Sequence, residues 1–182
     1  MQTRHGIIAP ALGTLFGLFL AATAAAQGGL DERTAAKLEA AMNAPGRPER
    51  DRERDANRKP LETLGFFGFR DDMTVLELVP GGGWYTRLLM PTLAEEGQLY
   101  LSIGTGRISK LSDVPGYEKA EILDVADFGQ RQPTGRYDVE AFSLGVDDVD
   151  LALTFRNMHN FSASGRANIN AAVFEALKSG GH

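Results

Sequence analysis

The sequence predicts an α/β fold with a mostly parallel sheet, entered through helices. Three observations carry that expectation. Apolar, strand-like runs at residues 74–79, 98–103, 120–125 and 149–154 alternate with helical or glycine-rich stretches. Strand–helix–strand alternation is what a parallel sheet requires, because each strand is reached by a right-handed crossover. The run Val75-Leu76-Glu77-Leu78-Val79 breaks at Pro80-Gly81-Gly82-Gly83 and then enters a helix at Trp84-Tyr85-Thr86. A strand, a glycine turn and a helix start form the layout of a ligand loop in a doubly wound sheet. Finally, 182 residues with 43% hydrophobic and 24% charged side chains suit one globular domain with a sizeable core.

The chain opens with Arg4 and His5, then an apolar stretch from Ile7 to Ala22, then Ala24-Ala25-Ala26-Gln27. A basic start, a short apolar run and small residues two apart are the pattern of a secretory leader cut after Ala26. The competing reading, a membrane anchor, is disfavoured because the run is short for a bilayer span. Residues 1–26 are therefore expected to be a signal peptide, and the mature chain to be periplasmic or secreted without a stable anchor. Residues 27–66 are expected to form a helical extension. Its first helix covers 28–44, with Leu30, Ala35, Leu38, Ala41 and Met42 at near-helical spacing and Asp31 and Glu32 at its start. Pro45-Gly46-Arg47-Pro48 ends it. Residues 49–59 alternate in charge, which reads as a solvated helix face with i,i+4 pairs in preference to a ligand surface. Lys59-Pro60 opens a further helix, since proline suits a first helical turn.

The remainder, 67–182, is expected to be the sheet domain. The helix after the glycines runs from Trp84 to about Ala94, with Pro91 in its last turn. A short helix follows Gly104-Thr105-Gly106, residues 137–144 are ambiguous between strand and helix, and a final helix spans 163–177. Gly180-Gly181 reads as the turn toward a fifth strand, and only His182 follows. The last strands of the fold are expected to be missing, which would leave strand four as an apolar edge open to self-association.

Composition limits the chemistry. The net charge of -5 gives no electrostatic footprint for nucleic acid. With no cysteine, thiolate catalysis, disulfides and cysteine metal sites are excluded, and no other metal cluster is legible. The candidate ligand loop is Glu77 with Gly81, Gly82 and Gly83. A dinucleotide fingerprint would place a third glycine where Thr86 stands and an acid where Ile103-Gly104-Thr105 stands, so a nicotinamide cofactor is disfavoured. Trp84 and Tyr85 either wall a pocket or pack the helix on the sheet. Asn157, His159 and Asn160 follow strand four, at the sheet edge where α/β proteins bind ligands. His159 is a candidate base, or alternatively a hydrogen-bonded structural histidine.

Read together, Arg54-Asp55-Ala56-Asn57-Arg58-Lys59-Pro60, Phe66-Phe67-Gly68, Met73-Thr74-Val75-Leu76-Glu77-Leu78, Pro80-Gly81-Gly82-Gly83-Trp84-Tyr85-Thr86 and Thr154-Phe155-Arg156-Asn157-Met158-His159-Asn160 resemble a family of exported class I S-adenosylmethionine-dependent methyltransferases of Gram-negative bacteria. The resemblance spans roughly residues 47 to 181. It implies a Rossmann-like methyltransferase fold with strand order three-two-one-four and S-adenosylmethionine as cofactor. It also implies that Gly81, Gly82 and Gly83 approach the methionyl part, that Glu77 lies beneath the loop, and that Asp127 and Phe128 lie near the adenine; Tyr85, beside the loop, is a further candidate for binding the cofactor. Asn157 and His159 would then be the acceptor-side catalytic pair, acting on a small-molecule substrate. The sequence departs from the family at the ribose-binding acid after strand two and at the last strands. The alternative function is a non-catalytic periplasmic protein that binds a nucleoside-like or other small ligand.

Overall fold

A computed structural model describes residues 29–182 of the chain. The predicted leader and its cut before Gln27 lie outside the described residues. No helix among those described is long and apolar enough to cross a membrane.

Among the described residues, four helices precede the sheet: α1 (Glu32–Met42), α2 (Glu49–Arg52), α3 (Asp55–Arg58) and α4 (Pro60–Phe66). Asp31 caps α1, accepting from the Thr34 amide at 2.9 Å and from its hydroxyl at 2.7 Å. The α1 face Thr34, Leu38 and Ala41 is buried, following the i, i+4, i+7 stripe of a helix packed on a core. Asp71, just ahead of the sheet, is buried and paired with Arg33 and Lys37 of α1. Burial raises the Asp71 carboxyl, but the bonds and charges of Lys37 and Arg33 outweigh it and hold the group below the ordinary range.

The sheet has four parallel strands in the order β3-β2-β1-β4, as expected, with β1 at Thr74–Leu78, β2 at Gln98–Ser102, β3 at Glu121–Leu123 and β4 at Leu151–Leu153. Helix α5 (Thr86–Leu93) follows β1, and α6 (Ala163–Ala176) follows β4. Pro91 lies in the last turn of α5. Successive β1 side chains alternate between two cores. Val75 packs with Leu38, Leu64, Leu88 and Leu89 beneath α1, α4 and α5, while Leu76 and Leu78 pack with Phe161, Ile169 and Ala172 beneath α6. Glu77 shares the face of Val75, which aims it toward α5. The ambiguous stretch 137–144 is neither helix nor strand, although Tyr137 bridges Arg131 and Phe161 and buries Val139 and Leu144 behind it.

Two expectations are corrected. Residues 49–59 do not make one helix with i,i+4 pairs. They fold as α2 and α3, closed by Lys59 at a left-handed φ of 42°, and the ion pairs reach outward. The outer edge of β4 is also not bare. The Lys178 amide donates to Val149, the His182 amide to Asp150, and the Ala152 amide to His182, at 2.8–3.1 Å. The tail thus begins a fifth parallel line of hydrogen bonds. Gly181 permits this approach, since a Cβ there would lie 2.7 Å from the Val149 carbonyl oxygen.

Candidate active site

The carboxyl ends of β1 and β4 open into a cleft of about 510 Å³. It is lined by the buried Glu77, the loop residues Gly81 and Gly82, by Tyr85, Phe155 and Asn157, and by arginines. Glu77 is 3% exposed in the central strand. Its carboxylate accepts a 2.7 Å hydrogen bond from the Thr86 hydroxyl, itself fully buried at the start of α5. Thr86 is where the dinucleotide fingerprint would have glycine, and the structure gives the departure a purpose: it fastens the acid beneath the loop. Burial pushes the Glu77 carboxyl up to about 7, against the opposing pull of the Thr86 bond and the Arg58 charge.

The three loop glycines have different reasons for being glycine. Gly81 and Gly83 adopt left-handed φ angles of 60° and 79°. A Cβ on Gly83 would also meet Leu111 at 2.5 Å, so this residue belongs to the packing and does not line the cleft. Gly82 has no left-handed φ and no atom within 4 Å of where its Cβ would stand. Neither backbone conformation nor packing demands glycine there. The amides of Gly81 and Gly82 meet no acceptor among the described residues.

Strain gathers at the same rim. Val79, Ile103 and Arg156 follow β1, β2 and β4 with φ of 56°, 58° and 62°. Two of these are β-branched, for which such angles are costly, on the order of 1–3 kcal/mol each. Asn157 ties the rim together, donating to the Val79 carbonyl at 3.3 Å and to the Thr154 hydroxyl at 3.2 Å.

Of the residues singled out in the sequence, Glu77, Gly81, Gly82, Tyr85 and Asn157 meet in this cleft. Asp127 and Phe128 line an adjoining hollow of about 440 Å³ that shares Gly81 and Arg107 with it. His159 is exposed on the turn Met158–Asn160, away from the lining. Where the acid after β2 is missing, Gly104 adopts a left-handed φ of 69°. A Cβ on Gly104 would lie 2.4 Å from the Phe128 ring, so that ring lies where a side chain would project.

Sequence reasoning missed the arginines. Arg50, Arg54 and Arg58, assigned to a solvated face, line the cleft with Arg107. Arg47 is buried behind them and bonds Asp55 through both terminal nitrogens at 2.6 Å. Arg87 of α5 holds the buried Asp51 at 3.5 Å. The Trp84 indole donates to the Asp51 carbonyl at 2.9 Å, so Trp84 pins α2 to the glycine loop. Arg58 lies over the rings of Trp84 at 4.5 Å and Tyr85 at 5.5 Å, and Tyr85 stacks on Phe155 at 3.6 Å. Trp84 and Tyr85 therefore do both things expected of them: they pack and they wall the cleft. The available signal was that every cation from 47 to 58 is arginine, the side chain suited to planar ion pairs and aromatic stacking.

Comparison with protein families and with curated proteins finds no match. Among solved structures, the chain is similar to the crystal structure of a SAM-dependent methyltransferase from Aquifex aeolicus, with a TM-score of 0.50 and 18% identity. The match covers 79% of this chain and 67% of that one. At this identity the likeness establishes the fold alone, a Rossmann-like α/β domain.

Proposed function

We propose that the chain is an S-adenosylmethionine-dependent methyltransferase acting on a small-molecule acceptor. The observation that carries this reading is Gly82: an exposed glycine that the fold does not require, in the lining of a cleft, whose amide and that of Gly81 have no acceptor among the described residues. Such a position is explained by a ligand that must approach the backbone. The cleft and its neighbouring hollow follow the carboxyl edge of the sheet and suit an elongated ligand. The amides of Gly81 and Gly82 would hold the methionyl end, Tyr85 would flank it, and Asp127 and Phe128 would meet the adenosyl end. With no acid after β2, Asp127 is the carboxylate available to that hollow. The likeness to a methyltransferase fold supports the reading.

When bound, the cofactor supplies an activated methyl group on a sulfonium whose leaving group is a neutral thioether. The task left to the protein is positioning. Glu77 and Thr86 hold the loop from below, Asn157 fixes the β4 rim against Val79, and Tyr85 with Phe155 walls off water. Asn157 lies on the acceptor side of this arrangement. His159 acts on the acceptor only if its turn moves inward.

Calorimetric titration with S-adenosylmethionine and S-adenosylhomocysteine tests the reading. Gly82→Val should weaken both about tenfold or more, a loss of about 1.4 kcal/mol, with an unchanged circular dichroism spectrum. Equal affinity in the variant, or no binding by the wild type, refutes it. We further propose that the mature protein starts at Gln27 outside the cytoplasm. Mass spectrometry of the envelope fraction checks this, and an intact Met1 refutes it.

A further inference from the structure

Beyond the loop, the cleft continues into a second chamber of about 340 Å³. Its walls are the stacked pair Tyr85 and Phe155, and around them stand Arg54, Arg58, Arg156 and Asn57. There is no acidic residue in this lining. Several neighbouring cations are engaged: Arg47 with Asp55, Arg87 with Asp51, and Arg52 with the Ala44 and Arg47 carbonyls, while Arg50 lies 4.0 Å from Asp51 and Arg107 lines the adjoining cleft. Arg54, Arg58 and Arg156 have no carboxylate within 4 Å among the described residues. Arg58 is instead set over aromatic faces, and burial followed by the repulsion of Arg54 pulls its guanidinium below the ordinary range. Arg156 stands in a left-handed backbone conformation at φ 62°. A chain with net charge -5 thus gathers three guanidinium groups without a direct carboxylate partner around one aromatic-walled chamber. Like charges so placed repel one another, and the arrangement is relieved by an anion. Guanidinium forks match carboxylate and phosphate oxygens, and the aromatic wall suits a flat or apolar body.

We infer that this chamber binds the acceptor, and that the acceptor is a small organic anion whose carboxylate or phosphate is held by Arg54, Arg58 and Arg156 against Tyr85 and Phe155. This rests on the methyltransferase reading for the word acceptor, but the choice of an anion rests on the arginines alone. Asn57 and the wall add hydrogen bonding and shape, and the glycine loop next to the chamber places the second ligand beside it.

The test is calorimetric titration of the mature protein with benzoate, phenyl phosphate and neutral benzyl alcohol, each with and without S-adenosylhomocysteine. Benzoate or phenyl phosphate should bind, benzyl alcohol should not, and the stronger of the two anions names the headgroup. The double variant Arg54→Gln/Arg156→Gln alters exposed side chains and should weaken the anion about tenfold or more, and Arg156→Gln alone, outside the cofactor cleft, should weaken the anion while leaving S-adenosylhomocysteine affinity within about twofold. Raising salt should weaken the anion in the wild type. Equal binding of benzoate, phenyl phosphate and benzyl alcohol, or anion binding unaffected by the double variant, overturns the inference. If S-adenosylhomocysteine binds and neither anion does, this inference falls while the transferase reading stands. If the anions bind through these arginines and S-adenosylhomocysteine does not, the transferase reading falls while the anion site stands.

Discussion

Replacing Glu77 with glutamine should change how stability depends on pH, in a direction that the structure fixes. In the folded chain the Glu77 carboxyl titrates at about 7, against 4.5 for an ordinary glutamate, chiefly because it is buried. Between those two values the unfolded chain has released the proton and the folded chain still holds it. Stability therefore falls as pH rises through this window, by ~1.4 kcal/mol per unit. The whole step amounts to about 3 kcal/mol, and above the folded value both states are ionised and the slope returns to zero. Glutamine has no proton to lose, yet its carbonyl still accepts the Thr86 hydroxyl. Urea unfolding of wild type and Glu77→Gln from pH 5 to pH 9 should show the variant gaining on the wild type across pH 5–7 and holding that gain above pH 8. Asp71 and Asp150 are displaced the other way, because their bonds to Lys37 and Lys178 outweigh burial, and their stability is lost only as pH falls into the acid range. The comparison between the two proteins cancels them. A stability difference that stays constant from pH 5 to pH 9 would falsify the argument that burial dominates at Glu77. Thr86→Val, which removes the hydrogen bond that favours the ionised form, should move the same step to higher pH.

Other outcomes follow from the same geometry. Gly83→Val meets Leu111 and an unfavourable φ together, so it should lower the melting temperature by the equivalent of about 1–3 kcal/mol, unlike Gly82→Val. A thermal melt separates the two, and equal melting temperatures would contradict the division between a packing glycine and a ligand glycine. Asp55→Ala leaves the buried Arg47 guanidinium without its partner and should cost about 3 kcal/mol, read as a lower urea midpoint. A loss within about 0.5 kcal/mol would place Arg47 among surface-like ion pairs. Deleting residues 178–182 removes the hydrogen bonds along β4 and should produce concentration-dependent self-association in light scattering. A shortened chain that stays as monomeric as the parent would show the tail to be dispensable as edge cover.

The sequence by itself determined the local and periodic features. Apolar runs set between polar or glycine-containing turns located all four strands. The crossover rule and the family resemblance ordered them, and Asp31 and Pro60 marked helix starts through backbone chemistry that acts within a few residues. Glu77 and the glycine loop were legible because a carboxylate in an apolar strand and three successive glycines are conspicuous without a partner in view. Tertiary structure decided what depends on distant chain segments. Gly83 is a packing residue only because Leu111 lies against it, and at Gly104 the Phe128 ring lies where a side chain would project, on top of a left-handed φ of 69°. Thr86, a mismatch when read along the chain, becomes the partner of Glu77 once α5 folds back on β1. The charged run at 49–59 looked solvated because its alternating signs can pair locally. The fold directs Asp51 to Arg87 and Asp55 to Arg47 instead, and so leaves Arg54 and Arg58 to face the cleft. Charge is a property of each residue, but which charges remain unpaired is a property of the assembled fold.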